Sequence, residues 1–107
     1  MIIKETKPNQ EIITRKLNSI GKKIFVEYFN VFKSNFLGNL SKEQTINIFT
    51  SKKISNYNGA NIRYSNAMWL FKYQKEKDAL KIVIDSKRVP QNIKNKAQNI
   101  LNTLQEQ

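Results

Sequence analysis

Asn61, Arg63, Ser65, Asn66 and Lys72 fall on one predicted helix, and their side chains are the types that read and hold nucleic acid. Arginine can fork onto guanine and asparagine can pair with adenine, so Asn61, Arg63 and Asn66 are the base-reading candidates. Lys16, Lys23, Lys53, Arg63, Lys72, Lys87 and Arg88 are candidates for phosphate contacts, which give affinity without sequence preference. Lys87-Arg88 precedes a helix start, where backbone N–H groups also favour an anion. Trp69 and Tyr73 are one helical turn apart and offer aromatic faces on which unpaired bases stack. In a chain with a single tryptophan, packing in a core or interface is the simpler expectation for that pair.

Catalytic chemistry has few tools here. The sequence contains no histidine and no cysteine, which removes the commonest general base and metal ligand, thiolate nucleophiles, disulfides and cysteine-based zinc sites. Eight carboxylates remain. Glu5-Thr6-Lys7 and Asp85-Ser86-Lys87 match the D/E-x-K fragment of magnesium nucleases, but such sites set their carboxylates on a sheet, and the segments here have helical spacing. The expectation is a protein without catalysis, metal or cofactor.

The elements that must position these residues are helices. Ile13, Leu17, Ile20, Ile24, Tyr28, Phe32 and Phe36 recur at steps of three or four and predict one long amphipathic helix over 12–36, around which the chain is organised. Thr6 or Asn9 is its candidate cap, after an irregular lead-in over 1–8 that is expected to be flexible. Gly21 interrupts this helix, at a cost of about 1 kcal/mol against alanine, and it marks either a close approach or a split into two elements. Gly38 suits the position after the helix end. Ser41-Lys42-Glu43-Gln44 is a capping box that opens a second helix over 41–51. Ser55–Gly59 reads as a turn on its Asn-Gly dipeptide. A third helix follows over 60–74 and a fourth over 76–86. A fifth starts at Pro90, with Ile93, Ala97, Ile100, Leu101 and Leu104 on one face. Leu17, Ile24, Phe32, Phe71, Leu80 and Ile100 are the expected core, and 105–107 should fray. The fold expected is all-α: a single-domain bundle of about five helices. The helices on either side of the Asn-Gly turn have the outline of a helix-turn-helix, although the turn exceeds the usual three or four residues.

Composition sets the partner. At 39% hydrophobic residues the chain can build one modest core, and no apolar run is long enough for a membrane span. The start Met1-Ile2-Ile3-Lys4-Glu5 lacks the apolar stretch of a secretion signal, so a cytoplasmic protein is expected. The net charge of +11 divides as +6 over 1–54 and +5 over 55–107, so it belongs to the fold and not to a tail. Such an excess attracts polyanions. Sixteen lysines against three arginines, with fourteen asparagines and fourteen isoleucines, also mark an AT-rich coding sequence that enriches lysine without selection for binding. The reading that follows is a small basic nucleic-acid-binding accessory or regulatory protein, with DNA favoured over RNA. The alternative is a protein-interaction module, such as a phage- or mobile-element-encoded adaptor or inhibitor acting on a host protein or nucleoprotein complex. A contiguous basic face favours the first, and a large exposed apolar patch the second.

Overall fold

The computed structural model describes residues 10–105. The lead-in, its candidate caps Thr6 and Asn9, the Glu5-Thr6-Lys7 fragment and the last two residues lie outside the described residues. Within them the fold is all-α, and no strand is present. Seven helices are formed where five are expected: α1 (Gln10–Ile20), α2 (Lys22–Glu27), α3 (Phe29–Phe36), α4 (Lys42–Ser51), α5 (Tyr57–Lys72), α6 (Glu76–Asp85) and α7 (Gln91–Gln105). No helix among the described residues is long and apolar enough to cross a membrane.

The difference in number comes from the predicted long helix, which is three. Gly21 adopts φ 96° and ψ 123°, a backbone that side chains other than hydrogen rarely permit. Its N–H still donates to the Leu17 carbonyl at 2.8 Å, and its own carbonyl accepts from the Phe25 N–H at 2.8 Å. The chain therefore leaves one helix and enters the next with a change of register. Before the break Ile13, Leu17 and Ile20 are buried as expected. After it the buried residues are Phe25, Val26, Phe29 and Phe32, of which Phe32 is on the predicted face, while Ile24 and Tyr28, also predicted for the core face, are only half-buried. At Tyr28 the turn is milder: φ is −112° and ψ is 20°, and the hydrogen bonds from Tyr28 N–H to Ile24 and from Phe32 N–H to Tyr28 run through it. Phe36, predicted to end the apolar stripe, is 47% exposed.

Three helices end in the same way. The N–H groups of Gly38 and Asn39 close on the carbonyls of Asn35 and Ser34, with Gly38 at φ 89°. Lys53 and Ile54 close on Thr50 and Phe49, and Gln74 and Lys75 close on Phe71 and Leu70. These are Schellman closures, in which the residue after the cap turns left-handed. Gly38 does so freely, whereas Lys53 at φ 60° and Gln74 at φ 58° carry a side chain into that region.

The helix starts follow the sequence more closely. Ser41 and Gln44 form the expected capping box, with Ser41 N–H to Gln44 Oε1 at 2.8 Å and Gln44 N–H to Ser41 Oγ at 3.0 Å. The Asn-Gly dipeptide, however, is helical. Asn56 caps α5 by accepting the Gly59 N–H at 2.7 Å, so α5 begins at Tyr57 and the connection from α4 is Lys52–Asn56. Glu76 and Asp78 open α6, where their charge favours the positive end of the helix, and Pro90 accepts the first N–H groups of α7.

One continuous core joins all seven helices. At its centre Phe25 meets Phe29 edge-on at 5.5 Å between ring centroids, Phe32 stacks on Phe49 at 5.4 Å, and Phe29 lies 5.3 Å from Phe71. Leu17, Phe32, Phe71 and Leu80 are buried as expected, whereas Ile100, like Ile24, is half-buried. α5 packs against α1, α3, α4 and α6 and so runs through the middle of the bundle. α7 covers α6 and α2 on the far side.

Candidate functional site

α1 packs along α5. Ile12, Arg15, Lys16 and Ser19 lie along one edge of α1 at helical spacing, and Asn66 and Trp69 face them from α5. Together they line an open cleft of about 390 Å³. The Lys16 ammonium sits over the Trp69 indole, 5.1 Å from the ring centroid. Such contacts draw the cation to the negative face of the ring. Tyr73, one turn further along α5, tilts against the indole at 4.9 Å, and Lys72 Nζ lies 5.6 Å from the Tyr73 centroid. On the other side of Trp69 is a second cleft of about 440 Å³, lined by Phe36, Tyr64, Ser65, Met68, Trp69 and Lys72. Trp69 borders both clefts and is half-buried between them. It is therefore neither a sealed core residue nor an exposed one.

Among the sequence candidates, the structure brings Lys16 and Asn66 into the first cleft and Lys72 into the second. The Asn66 side chain donates one of its two N–H groups to the Ile62 carbonyl at 2.7 Å, which leaves the other N–H as a donor and the Oδ1 oxygen as an acceptor. Asn61 does the same to the Tyr57 carbonyl at 3.2 Å.

Arg63 points inward. Its Nη1 donates to the Ile20 carbonyl and its Nε to the Ser55 hydroxyl, each at 2.7 Å. It thus joins the end of α1, beside the Gly21 break, to the α4–α5 connection. A helix end leaves its last carbonyls without partners, and a guanidinium is the strongest neutral-pH donor available to one of them.

The remaining candidates are dispersed. Lys23 is exposed in the first turn of α2, Lys53 closes α4, and Lys87 and Arg88 are exposed on the α6–α7 connection; none of them lines either cleft. The helix-turn-helix outline corresponds to α4, five connecting residues and α5, with α5 held on several sides by other helices. Asp85 is the last residue of α6, and among the described residues no three acidic side chains gather as a metal site would need.

Sequence reasoning passed over Arg15 and Ser19. Their signal was the series 12, 15, 16, 19, an i, i+3, i+4, i+7 edge that flanks the buried series 13, 17, 20 on the same helix.

Among the described residues one ion pair is formed, Lys75 with Asp78 at 3.7 Å, and it is local to the start of α6. Among the described residues Arg15, Lys16 and Lys72 form no ion pair. No protein-family model matches this chain, and no match to it was found among curated proteins or solved structures.

Proposed function

We propose that this protein binds nucleic acid, DNA before RNA, as an accessory or regulatory factor that performs no chemistry on it. The observation that carries this reading is the α1/α5 cleft, where Arg15 and Lys16 stand beside an accessible indole and an asparagine oxygen. Cations that bind phosphate and an aromatic face that accepts a base are the two components of sequence-tolerant nucleic-acid binding. In this reading Lys16, Lys72 and Arg15 contact phosphates and Asn66 approaches a base. Lys23, Lys53, Lys87 and Arg88 add long-range attraction, and Arg63 holds α1 and α5 at the spacing that forms the cleft. The test is fluorescence anisotropy with labelled DNA and RNA at about 50 mM salt, where the affinity should fall steeply as salt rises. Lys16→Ala should weaken binding more than Lys94→Ala, which alters α7 on the far side of the bundle. Equal effects would remove the cleft from the reading.

A second reading draws on a separate observation. Phe36, Leu37 and Tyr73 are 47%, 60% and 42% exposed, and Phe36 borders the second cleft. A contiguous exposed apolar patch favours a protein partner, and Phe36, Met68 and Trp69 share the second cleft. An adaptor or inhibitor acting on a host protein or nucleoprotein complex would use this surface. If no nucleic acid binds at about 50 mM salt, it becomes the surface to pursue, and a charge at Phe36 should then abolish the association.

A further inference from the structure

We propose that the α1/α5 cleft takes an unpaired nucleobase stacked on the Trp69 indole, with the flanking phosphates on Arg15 and Lys16; this rests on the nucleic-acid reading above. Access to the ring decides which form of nucleic acid can use it. In a duplex the base faces are covered by their neighbours and only the edges show in the grooves, where a protruding helix or ribbon reads them. Trp69 does not protrude. It lies half-buried where α1 and α5 meet, between two clefts. A recessed ring reaches the face of a base only if that base leaves the stack and enters.

Lys16 now occupies the position over the ring, 5.1 Å from its centroid. The contact is weak and the lysine stem is flexible, so an arriving base displaces the ammonium toward the phosphate that accompanies it. The exchange replaces a cation on the indole with a base on the indole and a cation on a phosphate. Past Trp69, Tyr73 and the second cleft continue the aromatic wall, and Lys72 supplies the next cation. A single strand laid from Arg15 to Lys72 thus meets cation, ring, ring and cation in turn. Asn66 adds an acceptor and one remaining N–H donor, the other N–H being held by the Ile62 carbonyl. Every nucleobase offers an amino or imino donor to such an oxygen, so sequence preference should be slight.

Trp69 is the one tryptophan of the chain, so its fluorescence reports this event directly. The probes are DNA and RNA single strands of about ten nucleotides, within the span of known single-strand sites, with the matching DNA duplex and an abasic strand of equal length. The single strand should quench Trp69 saturably and bind about tenfold or more tightly than the abasic strand, which should leave the fluorescence unchanged. Either sugar supports the proposal, and the tighter of the two identifies the strand. Trp69→Leu should bring single-strand affinity down to the abasic level and leave abasic binding unchanged, while Trp69→Phe should retain most of the preference. If circular dichroism shows that Trp69→Leu does not fold, the wild-type comparison of natural and abasic strands decides alone. Equal binding of those two strands without quenching, or tighter binding of the duplex than of the single strand, overturns the proposal and leaves the nucleic-acid reading standing. Failure of every strand to bind at about 50 mM salt overturns both.

Discussion

Arg63 has the donors to hold a phosphate or a guanine, yet two of its N–H groups already hold the Ile20 carbonyl and the Ser55 hydroxyl. Hydrogen bonds from a charged donor are each worth about 1.5–3 kcal/mol, and loss of the donor would also leave a carbonyl unpartnered at a helix end. Arg63→Ala, which removes both bonds, should therefore lower stability by roughly 3 kcal/mol or more, read as a shift in the urea midpoint. Lys72→Ala removes an exposed side chain that forms no ion pair among the described residues and should leave the midpoint within about 0.5 kcal/mol. If the two variants are equally stable, Arg63 is not the tie between α1 and α5. The sequence marked Arg63, Lys72, Lys16 and Asn66 by chemical type, and type alone does not distinguish a residue that meets a ligand from one that meets a backbone carbonyl 43 positions away. That distinction needs the packing of α1 on α5, which no local pattern contains.

Among the elements, the helices were legible and their ends were less so. Periodicity located α4, α6 and α7, because each buries one face and exposes the other. It ran through Gly21, because apolar residues continue on both sides of the break and a series of threes and fours can be traced straight across; the glycine itself carried the signal of a split, one of the two roles its sequence position allowed. The register change is testable. Phe25 is fully buried and Ile24 half-buried, so Phe25→Ala should cost about 3–5 kcal/mol and Ile24→Ala clearly less. A continuous helix would reverse or level that order. Gly21→Ala makes the same point from the backbone. A Cβ there would meet Ile24 and Arg63 at 3.6 and 3.7 Å, ordinary contacts, so the penalty is conformational, about 1–3 kcal/mol for φ near 96°. Inside an uninterrupted helix the same change would instead stabilise by about 1 kcal/mol, so the sign of the measured change decides. α4 ends at 51 as expected and α5 two residues before the expected 74; what escaped the sequence is the left-handed closure after each, because the residue there is Lys53 or Gln74, where glycine is the usual mark. Lys53→Gly and Gln74→Gly should each be neutral or stabilising by up to about 1 kcal/mol, against the loss expected for glycine at a right-handed position.

For the molecule as a whole, the question is whether the +11 charge is a binding device or a residue of codon usage. Codon bias would scatter lysine over every exposed face, and lysines do occur on α2, α6 and α7 as well as at the cleft. Binding makes a sharper demand, because only cations that touch phosphate release counterions. Each phosphate left without its cation lowers the slope of log affinity against log salt by roughly 0.7 on a single strand and roughly 0.9 on a duplex. Lys16→Ala and Lys72→Ala should each reduce the slope by about that amount, and the double variant by about twice as much. Lys94→Ala and Lys96→Ala, on the helix that covers α2 and α6, should weaken binding slightly through the overall field while leaving the slope unchanged. Slopes that fall equally for all four lysines would make the molecule a diffuse polycation, with no privileged face. A slope that responds at Lys16 and Lys72 alone would place the phosphates along the line that runs from α1, past Trp69, to the end of α5.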